Sequence, residues 1–361
     1  MGIVSVLGLV FVASGCGPKL AYAPTLPPDP CSATWGCGTN AASLGDGLPF
    51  HELDLDGARN DKGVKFVGYT DAKGAPMDFE VDKDRIDATD QAALKGTMVV
   101  LENQNGDRFD VKIDDVGKTD YWVHPTGEGL PTYTFKYRPK GGPDQWIPLC
   151  NGKEVPADWT ARVGVGTELL ALVFTGDRYD VKAKTVTTIS TPPNTFRPAT
   201  SRWFNVACAG TALAKMHLLR HTEAGSTASL TTTRDQRQAM LKMLTDDICG
   251  TGRSFTRDGM PVYYMDQRDW YPVPPFDPQK ARSVEAIWNQ DGGICLNVPR
   301  RQSELGTAVR AAVTTECIAH HKPDPPPCEQ KVTKWNMANW TSVVANWQDW
   351  KTQGYGISAN R

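Results

Sequence analysis

The chain has 361 residues, of which 40% are hydrophobic and 22% charged, and its formal net charge is −2. That length predicts two domains, each able to bury a core. With no cluster of Lys or Arg and no long acidic run, the sequence excludes nucleic acid and an electrostatically held membrane surface as expected partners.

The first element is an apolar run at residues 3–12, IVSVLGLVFV. It has signal-peptide length and is too short to cross a bilayer as a helix. It ends in Ala13-Ser14-Gly15-Cys16, and small residues followed by Cys resemble a bacterial lipobox. Ala13 stands where Leu is commoner, and no Lys or Arg precedes the run. Cleavage before Cys16 would leave its thiol and new amino group to carry acyl chains, and several chains anchor far more firmly than one. The rival site, Ala21-Tyr22-Ala23, precedes Pro24, which such peptidases tolerate poorly. Residues 1–15 are therefore read as a lipoprotein signal peptide and 16–49 as a Pro-rich tether, stiff and extended. The expected location is the cell envelope, lipid-anchored on the outer membrane and extracytoplasmic, with the membrane as partner through the anchor alone.

Nine cysteines suit such an oxidising compartment. With Cys16 lipidated, the disulfide candidates are Cys31, Cys37, Cys150, Cys208, Cys249, Cys295, Cys317 and Cys328. Proximity favours Cys31 with Cys37 and Cys317 with Cys328, and the remaining four allow three connectivities. No C-x-x-C pair suggests structural zinc, and no cofactor is implied.

From residue 50 to 195 short alternating segments are broken by Gly, Asp, Asn and Pro, as in VKFVGYT, RFDVKI and PTYTFKYR, and they predict a β-rich domain of antiparallel hairpins. The heptapeptide Gly-Asp-Arg-aromatic-Asp-Val-Lys occurs twice, at residues 106–112 and 176–182. Gly accepts the positive φ of a tight turn, so both copies are read as hairpin corners, with Asp107 and Asp177 as turn residues.

Residues 196–330 read as a disulfide-stabilised α+β domain, which makes the fold class α+β. Ala209, Leu213, Met216 and Leu219 have helical spacing, and Thr233 with Gln236 has capping-box spacing before a second helix. A hairpin is expected at Asp291-Gly292 and a further helix capped by Ser303. Residues 331–361 are read as a C-terminal helix, with Trp340, Val343, Val344, Trp347 and Trp350 on one face of 336–351 that packs on the body or meets a protein or glycan partner.

At residues 246–262 the string DDICGTGRSFTRDGMPV resembles the signature of the ADYC domain family, uncharacterised proteins found mainly in myxobacteria and often carried behind lipoprotein signals. Asp247, Cys249, Gly250, Gly252, Thr256, Asp258 and Gly259 match, whereas Asp246 and Ile248 stand where Ala and Tyr are usual. FNVACAGTALAKM is similar to a second family stretch through Cys208, Ala212 and Lys215, and VEAIWNQDGGICL to a third through Glu285, Ala286, Trp288, Asp291, Gly292 and Cys295. WIPLC, residues 146–150, looks like an upstream one. Met216 and Met240 occupy positions where the resemblance implies cysteines, as if two facing helices had lost one disulfide together. The resemblance implies a compartment and no reaction.

Other chemistry is weakly signalled. His217 and His221 lie one helical turn apart, a spacing that can serve one metal, but without the Glu of a hydrolytic zinc helix. Glu316 precedes His320 by four residues. ELDLDG at residues 52–57 imitates a calcium loop, yet its twelfth position is Gly63. Cys249 beside two acidic residues is placed for a disulfide, not for a thiolate nucleophile. There is no phosphate-cradling loop and no Gly-x-Ser-x-Gly elbow. The reading is a cell-envelope lipoprotein acting as a surface binding or structural module, with an extracytoplasmic hydrolase, or an inhibitor presenting the loop HHKPDPPPCE, as alternatives.

Overall fold

The computed structural model describes residues 42–121, 128–150, 164–165, 168–180, 183–188, 202–222, 232–256, 284–328 and 343–345. Cys16, Cys31, Cys37, the signal segment and residues 16–41 of the tether lie outside the described residues, whereas residues 42–49, expected in the tether, are folded: Ser43–Leu44 pairs with Leu48–Pro49, and Ala42 and Leu44 are buried in the core.

A nine-stranded antiparallel sheet forms the middle of the molecule. Its strands are β1 (Glu52–Asp54), β2 (Lys65–Thr70), β3 (Pro76–Met77), β4 (Met98–Glu102), β5 (Arg108–Thr119), β6 (Leu130–Pro139), β7 (Ile147–Pro148), β8 (Ala171–Thr175) and β9 (Trp203–Cys208). The order is β1-β9-β8-β6-β5-β4-β2-β3, with β7 also on β6. Phe109, Val111 and Ile113 of β5 point into the core, as their alternation predicts. On the other face Lys112 and Lys136 pair with Asp114.

Strands β8 and β9 are covered on both faces. Ala171, Val173, Phe204 and Val206 join one core with Leu53, Phe79, Leu101, Val111 and Phe135. Leu172, Phe174 and Ala207 join a second with Leu213, Met216, Met240, Ile248 and Trp288. Burial on both faces explains their near-continuous apolar sequence. It also explains why a helix is expected too early: the chain stays in β9 to Cys208, and α1 (Ala212–Leu218) begins only after Thr211, whose hydroxyl accepts from Ala214 N.

The repeated heptapeptide does two different things. In the first copy β4 and β5 form the expected hairpin, with Glu102 opposite Arg108. Its loop is longer than two residues: Asn103 Oδ1 accepts from the amides of Asn105 and Asp107 before Gly106 turns at φ +88°. The second copy is not a hairpin corner. Residues Arg178–Asp180 leave β8 and pair instead with Thr185–Thr187. Val173 and Phe174 stand where Asn103 and Gln104 stand in the first copy, so a buried strand replaces the loop-closing Asn. Asp177 is then drawn inward to Arg237, whereas Asp107 stays exposed.

Helix α2 (Arg234–Thr245) carries the expected capping box between Thr233 and Gln236. Strands β10 (Val284–Asn289) and β11 (Gly292–Leu296) make the expected hairpin one residue earlier than expected: Asn289 stands opposite Gly292, so Gln290 and Asp291 form the turn and Gly292 opens β11. The helix expected after Ser303 is divided: α3 (Gln302–Leu305) stops at Gly306, where φ is +66°, and α4 (Ala308–Ala319) starts again. Ser303 lies inside α3 and is no cap. Within 336–351 the described part is a strand, β12 (Val343–Ala345), paired with β10, and the rest lies outside the described residues.

Among the described residues three disulfides join Cys150 to Cys208, Cys249 to Cys317 and Cys295 to Cys328. The expected local bridge between Cys317 and Cys328 is not formed. Each end of that segment is tied to a different part of the body instead, because α4 docks on the turn after α2 while the Pro-rich segment runs back along β11.

Candidate functional site

Of the residues that carry the family signature, Asp247, Cys249, Gly250 and Gly252 with Glu285, Trp288, Asp291 and Gly292 meet at the end of α2, while Cys208, Ala212 and Lys215 lie at the end of β9 and in α1, and Asp258 and Gly259 lie outside the described residues. Asp246 ends the helix in the left-handed region at φ 54°. The chain then folds back so that the Asp247 carboxylate accepts from Thr251 N and Gly252 N, both at 3.0 Å, and from Lys242 Nζ at 2.6 Å. The Gly-rich loop thus wraps its amides around the protein's own carboxylate, the kind of anion cradle that elsewhere holds a phosphate. Lys184 Nζ closes the loop from the far side on the Gly252 carbonyl.

The hairpin β10–β11 presses its turn against this loop. Gly293 N donates to Ile248 O at 2.8 Å, and a Cβ on Gly250 would stand 2.0 Å from Asp291 O. At this contact only hydrogen fits. Cys249 ties the same turn to α4 through Cys317, and Trp288 is fully buried beneath it. Arg300 completes the junction: its backbone N and Nε donate to Glu285, and its Nη2 donates to Met243 O at 3.0 Å. Burial pushes the Asp246 carboxyl up to about 8 and raises Glu285 as well. Among the described residues, Gly250, Gly293 and Asp291 pack backbone on backbone, and Asp247 and Glu285 are taken up by buried cations and amides.

The histidines singled out by spacing are buried separately from this junction. The His217 ring stacks on Phe174 with centroids 3.9 Å apart, its Nδ1 lies 2.7 Å from Thr222 Oγ1, and its Nε2 lies 3.7 Å from Asp84 Oδ1. Tyr121 donates to the other Asp84 oxygen at 2.5 Å. Hydroxyl, imidazole and carboxylate stand in the order of a nucleophile, its base and its orienting acid. Thr222 and His217 are 2% and 1% exposed, so no substrate reaches them, and burial drives the imidazole down to about 4. His221 is buried and its N donates to Met216 O, closing α1. Neither histidine belongs to a group of three metal-binding side chains among the described residues.

One such group exists among the described residues, His51, Glu52 and Asp61. Its chemistry is already occupied. Arg178 donates to Glu52 Oε1 through Nε and Nη2 at 3.0 and 2.6 Å, and Tyr179 N donates to Oε2. His51 Nε2 bonds the Tyr179 carbonyl, and Lys62 pairs with Asp61. A divalent cation would compete with two positive side chains here. Glu316 is likewise held by Thr251 and Arg253 beside His320. A cavity against the sheet, among the described residues, measures about 20 Å³ and is walled by apolar side chains such as Phe50, Leu53, Phe79 and Phe135, with no acid or base in its lining.

Among the exposed segments of the described residues is 318–327, in which Pro325 alone is buried. Ile318 is 63% exposed, and His320, His321, Lys322 and Pro323 are exposed after it. Half-cystines bound it on both sides, each bridged to a different strand or turn of the body. Arg310 clamps it from within, Nη1 and Nη2 on the Asp324 carboxylate at 2.7 and 3.1 Å and Nη2 on Pro325 O. Leu296 N and the Asn297 side chain hold Pro326 O and Cys328 N. Sequence reasoning found the loop and the cysteines; it missed Arg300, Arg310, Arg237, Asp84 and Tyr121, whose partners lie far away along the chain.

A disulfide-stapled α+β scaffold with described signature residues meeting in a structural junction, and a braced segment outside it, is the class of protein these features define. The chain belongs to the ADYC domain family, whose model matches residues 91–302. That match takes in the β4–β5 hairpin, the Gly-rich turn and the β10–β11 hairpin. No curated protein and no solved structure matches it.

Proposed function

We propose that this chain is a lipid-anchored, extracytoplasmic binding module of the cell envelope, which holds a preformed segment, residues 318–327, the end of α4 and the loop after it, toward a protein partner. The observation that carries the reading is the bracing of that segment. Two disulfides and the Arg310 clamp fix an exposed segment that buries little of itself, and a segment already ordered loses little conformational entropy when a partner closes on it. Disulfides of this kind persist outside the cytoplasm, which agrees with acylation at Cys16 and anchoring in the outer membrane. The Pro-rich tether would then carry the module clear of the lipid surface.

Two experiments test the reading. Intact mass of protein extracted from native membranes is expected to show an acylated Cys16, and unlipidated protein beginning at another residue would remove the anchor. A photo-crosslinking residue placed at Ile318 or His321 of the full chain in its native host is expected to yield a discrete protein adduct that the same probe at exposed Lys73 does not. Adducts of equal yield at all three positions would remove the segment from the recognition surface.

A further inference from the structure

Asp246 combines three features that the packing of the junction does not explain. Its side chain is fully buried, its backbone occupies the left-handed region at φ 54°, and neither carboxyl oxygen has a hydrogen-bond partner. The nearest cation, Arg300 Nη2, stands 3.4 Å from Oδ1. That guanidinium is already committed to the Glu285 carboxylate, with Nε 3.0 and 3.2 Å from its two oxygens, and to Met243 O. The charged groups around Asp246 are Glu285 on β10, Arg300 and Arg301 after β11, and the neighbouring Asp247. Asp247 is balanced by Lys242 and by two amides. Two carboxyls therefore face Arg300, and Glu285 takes its hydrogen bonds.

We propose that Asp246 is a proton-held latch: neutral, it lets α2, the Gly-rich turn and the β10–β11 hairpin close on one another, and its ionisation as pH rises loosens that junction. The neutral carboxyl avoids an uncompensated buried charge beside Glu285. Ionised, Asp246 would compete for Arg300, which caps the end of α2 at Met243 O and holds Glu285 on β10. The Asp246 backbone is also part of the turn, its carbonyl accepting from Phe255 N and its amide donating to Met243 O. Cys249, three residues on, carries any loosening to α4 through Cys317. This latch does not depend on the binding reading given above.

The direction of the pH effect follows from burial, which raises the carboxyl from 3.8 to about 8. The folded chain keeps a proton that the unfolded chain releases, so the contribution is complete below the unfolded value and is lost as pH rises through the folded one. Urea denaturation of the full chain and of Asp246→Asn, from pH 5 to 9, reads this directly. The folding constant of the wild type is expected to fall about tenfold per pH unit relative to the variant over pH 5–8, because one proton is linked to folding. Amide exchange in residues 246–256, corrected for intrinsic rate, is expected to quicken between pH 6 and pH 9 in the wild type and to stay level in the variant. Equal pH dependence in the two proteins would overturn the latch. If Asp246→Asn does not fold, calorimetric folding of the wild type in buffers of different ionisation heat gives the proton count near pH 7 alone: about one proton supports the latch, and none overturns it.

Discussion

Gly250→Ala is the substitution that most sharply separates a structural junction from an open loop. The glycine has φ +67°, and a Cβ there would lie 2.0 Å from Asp291 O and 3.1 Å from Asp291 C. A left-handed conformation costs an L-residue about 1–2 kcal/mol by itself. Moving a packed backbone carbonyl by more than 1 Å adds about 1–3 kcal/mol of overpacking strain. The total expected loss is about 2–5 kcal/mol, a large part of the stability of an ordinary domain. Gly106→Ala supplies the control, since that glycine has φ +88° with nothing within 4 Å of its Cβ position. Only the conformational part, about 1–2 kcal/mol, should be lost there. Guanidinium titrations of both variants under oxidising conditions, followed by tryptophan fluorescence, give the comparison. Losses equal to within about 0.5 kcal/mol would refute the contact between the Gly-rich turn and the β10–β11 hairpin.

Other perturbations test other parts of the account. Arg237→Ala leaves Asp177 buried without its counter-ion and should cost about 3–5 kcal/mol in denaturant titration, whereas replacing both partners by Leu should restore much of it. Replacing Cys249 and Cys317 together by Ser opens a bridge spanning 68 residues, and the chain-entropy relation puts the loss near about 4 kcal/mol. His217 is held at about 4, below its ordinary 6.5, so the folded chain resists a proton that the unfolded chain accepts. Its contribution is present above pH 6.5 and is lost as pH falls through about 4, and thermal melts of His217→Gln should show a shallower acid decline over that window.

Local chemistry was legible in the sequence and long-range chemistry was not. The β4–β5 hairpin, the capping box of Thr233 with Gln236 and the β10–β11 hairpin depend on residues a few positions apart, and all three form, though the first loop is longer and the last turn one residue earlier than expected. The second heptapeptide fails as a hairpin because Val173 and Phe174 are wanted in two cores at once, a demand that only the assembled sheet makes. Cysteine pairing misled for the same reason. Closeness in sequence favours Cys317 with Cys328, but docking of α4 on the Gly-rich turn brings Cys249 to Cys317 first in space. The buried partners Arg300–Glu285 and Arg237–Asp177 lie 15 and 60 residues apart, a separation that no motif spacing marks. At the candidate site the family signature was readable as a string, while its role as a clamp became visible only once Asp291 and Gly250 were seen to touch.

Peptide mapping of the unreduced protein is the measurement that bears most directly on this account. Digestion under mildly acidic conditions, where thiol exchange is slow, followed by mass spectrometry should recover Cys249 linked to Cys317, Cys295 linked to Cys328 and Cys150 linked to Cys208. Those linkages would establish the stapled junction and the two-sided bracing of segment 318–327. A peptide joining Cys317 to Cys328, or a free thiol at Cys249, would contradict both.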